Sequence, residues 1–141
     1  MTMAYNVINE IVKVFDAENV NYQTYDEGGI SCVAAICEGK NAREIVVHFT
    51  VTNDEEAVYV LSLGFATVPD DKVPSVLATL SKLNNQYRYV RFILDDSNDV
   101  AVNYDIPLST ADVGEVACEL LYRMAQTIDA AYPELMEAIE G

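Results

Sequence analysis

The densest run of potential ligand atoms in the sequence is Asp95-Asp96-Ser97-Asn98-Asp99. Oxygen side chains at alternate positions resemble the start of a calcium-binding loop. Such a loop needs a glycine at its sixth position for the sharp turn and a bidentate glutamate at its twelfth. Val100 and Ile106 stand at those places. The run therefore reads as a solvated, Asx-rich turn, and no metal is assigned to it. The single histidine, His48, has no ligand-spaced acidic or thiol neighbours and no obvious Ser or Cys nucleophile, so it reads as a hydrogen-bonded structural residue. Cys32, Cys37 and Cys118 fit neither a zinc hook nor a redox pair, and reduced, buried thiols are expected. Glu115 and Glu119 are neighbours on a helical surface, but acid–base chemistry would also need a pocket that shifts one pKa. Gly28-Gly29 lacks the further glycines and the strand-to-helix setting of a phosphate loop. No catalytic residue and no cofactor emerge. What remains is Tyr87, Tyr89 and Arg91, residue types enriched where proteins bind one another, and these are the candidate partner-binding residues.

Composition narrows the classes further. The chain has 141 residues, enough for one domain with a core of its own, and a single domain over 1–141 is expected. Half of the residues are apolar and 22% are charged, a globular balance. Eight Lys and Arg face 23 Asp and Glu, a formal charge of -15. Such a surface repels nucleic-acid backbones and anionic lipid heads; it reads first as a device for solubility, with attraction to a basic partner segment as the functional alternative. The N-terminal Met1-Thr2-Met3-Ala4-Tyr5-Asn6 has neither a basic nor an apolar leader region, and no apolar run is long enough to span a bilayer. A cytoplasmic protein without membrane contact is the expectation.

The elements that must position these residues follow from hydrophobic periodicity. Ala4, Val7, Ile8, Ile11 and Phe15 recur at helical spacing over 3–18. A weak strand lies around Tyr22, Gly28-Gly29 makes a hairpin turn, and Ile30–Glu38 is a strand apolar on both faces, suggesting a central strand covered on both sides. Arg43–Thr52 and Ala57–Phe65 are further strands. Asp71 is a candidate N-cap for a helix with Pro74 in its first turn, and Asn84-Asn85-Gln86 is a candidate left-handed stop. A hairpin follows, Tyr87–Leu94 returning from Val100. Its apolar faces match only if Leu94 sits opposite Val100, which places Arg91 opposite Asn103, diagonal to Asp105, and implies an odd-numbered loop across Asp96-Ser97-Asn98. Ser109 and Asp112 have capping-box spacing at the start of a long amphipathic helix, which Tyr132-Pro133 should break or kink.

The fold class is therefore α+β, an antiparallel sheet with helices in the order α-β-β-β-β-α-β-β-α. At this level Leu83-Asn84, Tyr89 through Leu94 with the acidic turn, Tyr104-Asp105-Ile106-Pro107-Leu108, and Tyr132-Pro133 with Leu135 resemble the YbjN family. That group is labelled bacterial sensory transduction regulators, and its fold is similar to that of type III secretion chaperones. The resemblance covers nearly the whole chain in element order and carries no catalytic residues. It implies a non-enzymatic protein-binding module, adaptor-like or chaperone-like and regulatory in a bacterial cell. Its partner would be a protein laid on a sheet edge or in an apolar helix groove. A homodimer is the second partner expectation. The alternative function is a small-molecule or cation sensor, ahead of a small enzyme.

Overall fold

The computed structural model describes the backbone from Met3 and the side chains from Asn6 to the end of the chain. Ala4, expected on the apolar face of the first helix, lies outside the described side chains. Helix α1 spans Met3–Ala17, and four strands follow: β1 Tyr22–Glu27, β2 Ile30–Cys37, β3 Ile45–Val51 and β4 Ala57–Thr67. A 3-10 turn at Asp70–Lys72 leads into α2, Val73–Gln86. Strands β5 Arg91–Leu94 and β6 Asp99–Pro107 precede the long helix α3, Val113–Glu140. The six strands form one antiparallel sheet in the order β1-β2-β3-β4-β6-β5, and the element order is the α+β order read from the sequence.

Period-two burial explains the layering. Along β3, Ile45, Val47, Phe49 and Val51 are buried, while Val46, His48 and Thr50 between them are half-buried. The buried set faces the helices: Phe15 of α1 meets Phe49 edge-on at 5.4 Å, and Ile11, Leu121, Met124 and Leu135 join the same core. Each such large side chain contributes about 1.5–3 kcal/mol by leaving water. Helices α1 and α3 pack together on that face, and α2 packs against α3 and β5. At the crossing of α1 and α3, a Cβ on Gly114 would lie 2.5 Å from the Glu10 carbonyl oxygen, so glycine permits the close approach. The expectation of a twice-covered β2 is corrected here. Val33 and Ala35 enter the core beneath the helices, but Ala34 and Ile36 lie on the other face and are only half-buried. Sequence alternation showed two apolar faces; only one has helices to bury it.

The turns separate local chemistry from tertiary effects. Gly28 and Gly29 both adopt positive φ, 59° and 83°, as the β1–β2 hairpin requires. In the second hairpin Leu94 pairs with Val100 and Arg91 with Asn103. Asp95 N–H donates to the Asp99 carbonyl at 2.9 Å, leaving a three-residue loop with Asn98 left-handed at φ 62°. That is the expected register and an odd loop. The helix ends differ from expectation. Asp71 sits inside the 3-10 turn, and the α2 N-cap is Lys72, with Pro74 in the first turn as read. Asn84 does not stop α2 in a left-handed conformation. Its carboxamide instead accepts from Phe92 N–H at 2.8 Å and donates to the Phe92 carbonyl at 3.0 Å, while Tyr87 ends the helix in an extended conformation. No side-chain cap forms at Asp112, which is left-handed at φ 55°.

Pro133 does not break α3, which continues to Glu140. Proline removes the N–H that would bond to the carbonyl four residues earlier, at Asp129. The side-chain amide of Asn41 takes that place, donating to the Asp129 carbonyl at 2.9 Å. The Asp129 carboxylate in turn accepts the backbone N–H groups of Lys40, Asn41 and Ala42 at 3.1, 2.7 and 2.9 Å. The β2–β3 loop is thus clamped onto the middle of α3, and the clamp repairs the helix at its proline.

Candidate protein-binding surface

The helices occupy one face of the sheet, so the other face is built from the alternate residues of each strand. The registers align Gln23, Ala34, His48, Leu61, Asn103 and Arg91 across all six strands. A second row, Tyr25, Cys32, Thr50, Tyr59 and Asp105, runs beside it on the same face. These two rows are tied by hydrogen bonds. Tyr25 Oη and His48 Nδ1 share a bond of 2.9 Å, and Cys32 Sγ donates to Thr50 Oγ1 at 3.2 Å. Asn103 is buried, donating to Tyr59 Oη at 3.3 Å and accepting from Arg91 Nε at 3.0 Å. Arg91 also reaches the Asp105 carboxylate at 3.4 Å, an exposed pair of little energetic weight. Burial, then the neighbouring Cys32 thiol, pushes the Tyr25 phenol up to about 12.

On the other side of the central row the same face turns apolar. Ile36 and Val46 are half-buried there, Ala101 is buried between Leu63 and Ile93, and those two are 48% and 37% exposed. Large aliphatic side chains left open on a sheet face, beside a hydrogen-bonded polar field, form a surface suited to a protein partner. Cys32 is fully buried and His48 is engaged by Tyr25. The other thiols are pushed up, Cys37 by burial and then Cys118, and Cys118 by burial and then Glu18, which disfavours the reactive thiolate. A hollow of about 620 Å³ between Gly28, Thr50, Asn53 and Tyr59 is lined by Glu27 but not by His48.

The three candidate residues do not converge. Tyr87 is half-buried, its ring 6.5 Å from that of Phe92. Tyr89, left-handed at φ 74°, is exposed on the helix side, where the Arg123 guanidinium of α3 lies 4.8 Å from its ring centroid. Arg91 alone belongs to the open face. The acidic turn is engaged within itself and by the end of β4 and the segment after it. Asp95 accepts the backbone N–H groups of Ser97 and Asp99, Thr67 donates to Asp99, and Asn98 donates to Asp70. Among the described residues no group of three His, Cys, Asp or Glu is arranged to hold a metal ion. Leu63 and Ile93 escaped the sequence reading because their strands alternate like any half-buried strand. The signal that could have found them was a face apolar on both sides of the sheet with too few helices to cover both.

Residues 10–137 match the model of the YbjN family, described as a putative bacterial sensory transduction regulator. The match spans nearly all of the chain. The chain belongs to the YbjN family. Comparison with curated proteins yields no match. Among the described residues no helix is long and apolar enough to cross a membrane.

Proposed function

We propose that this YbjN-family chain is a non-enzymatic protein-binding module, adaptor-like or chaperone-like, that acts in regulation in the bacterial cytoplasm through the open face of its sheet. The supporting observation is the uncovered apolar side of that face, with Leu63 and Ile93 exposed beside half-buried Ile36 and Val46. A partner that covers these side chains gains the burial that the chain's own helices give to the opposite face. Arg91, held by Asn103 and Asp105, borders the patch as an oriented polar contact. A second copy is the simplest partner, although two surfaces of charge -15 oppose self-association at low salt.

The test pairs capture with mass measurement. Tagged protein in native extract is expected to retain a stoichiometric partner, and Leu63→Lys with Ile93→Lys is expected to lose it while melting normally. Equal recovery by both proteins, or no stoichiometric partner under several conditions, would count against the reading. Light scattering at high concentration decides the homodimer, which a mass of 15.6 kDa would refute.

A further inference from the structure

We propose that the groove between α1 and α3 is a docking site for a basic amphipathic helix of a partner protein. This rests on the protein-binding reading above and names the chemistry of the partner at a second surface. The two helices touch where Gly114 meets the Glu10 carbonyl and Val14, and beyond that contact they leave a groove of about 530 Å³. The apolar part of its lining is Val14 and Ala17 from α1 with Cys118 and Tyr122 from α3. Tyr122 is 45% exposed, a large aromatic surface that no element of the chain covers among the described residues.

The walls decide what can lie there. Both are helical, so they present side chains rather than a row of backbone N–H and C=O groups with which an extended segment could pair. A strand placed in the groove would leave its inward backbone groups unpaired. A helix brings its own backbone bonds and can insert residues at i, i+3, i+4 and i+7. Charge decides the kind of helix. Glu18, Glu115 and Glu119 line the groove against one cation, Lys13. Glu119 is also bonded to Arg123 at 3.3 Å, which leaves Glu18 and Glu115 without an ion-pair partner among the described residues. With the whole chain at -15, the field in the groove favours Lys or Arg flanking the apolar stripe of the incoming helix and disfavours a second copy of this chain.

The probe is a labelled synthetic peptide with leucines on one helical face and lysines on the other, titrated by fluorescence anisotropy. Its control is a peptide of the same composition with the amphipathic order scrambled. Saturable binding is expected for the first peptide, with backbone amide shifts confined to α1 and α3. The variant Ala17→Lys with Glu115→Lys places two cations at exposed helical positions that tolerate lysine. It should weaken binding roughly tenfold or more through steric block and charge reversal, while Leu63→Lys on the open sheet face should leave it unchanged. Loss of binding in Leu63→Lys alone would overturn the groove and leave the protein-binding reading standing at the sheet. Equal binding of the scrambled peptide would overturn it by reducing the effect to diffuse attraction. So would no binding of either peptide, whereas the capture experiment judges the protein-binding reading separately. A dimer that the groove variant dissociates would assign the groove to a second copy and overturn the proposal.

Discussion

Two loops of similar length show opposite ways of fixing a chain. The turn at Asp95–Asp99 is closed by its own residues: Asp95 binds the backbone of Ser97 and Asp99, and the strands on either side are already in register. The loop at Gly39–Ala42 has few bonds of its own, chiefly Gly39 N–H to the Ala42 carbonyl at 3.0 Å. It is held by Asp129, nearly ninety positions later, through three backbone donors and one side-chain amide. The first loop draws the eye in the sequence, and beyond its own bonds it is tied to Thr67, Val68 and Asp70 beside it. The second is inconspicuous in the sequence and joins the sheet to the longest helix. Conspicuous charge is therefore a poor guide to where this fold is held together.

The contrast can be broken most forcefully at Gly39. A Cβ there would lie 2.6 Å from the Ala42 carbonyl oxygen and collide with the Asp129 carboxylate. Gly39→Ala should cost about 1–3 kcal/mol, in the range of overpacked sites, read from the urea midpoint. An unchanged midpoint would mean that the clamp is loose.

Asp129 comes next. The N–H groups of Ala42 and Asn41 hold its carboxyl below its ordinary value of 3.8. A carboxyl with a depressed folded pKa stabilises the fold fully above its unfolded pKa and loses that contribution as pH falls through the folded value. Asp129→Asn should therefore melt below the native chain at neutral pH, and the gap should narrow from about pH 4 downward. A gap that stays constant with pH would show that the charge is not what holds the loop.

Smaller and more diagnostic is Asn41→Ala, which should cost about 0.5–1.5 kcal/mol by removing one hydrogen bond. Pro133→Ala restores a helical N–H for the same Asp129 carbonyl. In that background the cost of Asn41→Ala should shrink, and additive effects in the double-mutant cycle would separate Asn41 from Pro133. The least effect belongs to the acidic turn. Asp95→Ala should cost no more than about 1 kcal/mol, and its effect should add to that of Asp129→Asn. Millimolar Ca²⁺ should leave the melting temperature of the native chain flat, because a ligand that prefers the folded state raises it. A calcium-dependent rise would revive the cation-sensor reading.

The candidate surface was legible only in part. Arg91 was placed correctly opposite Asn103, because matching the apolar faces of two neighbouring strands leaves one register. Grouping it with Tyr87 and Tyr89 assumed a strand over 87–94. The structure starts β5 at Arg91, since Asn84 holds Phe92 and the chain before it turns at Tyr89. Tyr89 thus meets Arg123 on the helix side, while Arg91 stays on the open face.

The sequence by itself determined the element order, both hairpins with the register of the second, and the acidic character of the surface. These follow from periods of two and 3.6 residues and from turn residues acting on near neighbours. Only the tertiary structure decided which face of the sheet the helices cover, how the helix ends are satisfied, and why α3 survives Pro133. Those outcomes depend on groups far apart in the chain, such as Asn41 with Asp129 and Gly114 with Glu10, whose meeting no local pattern encodes.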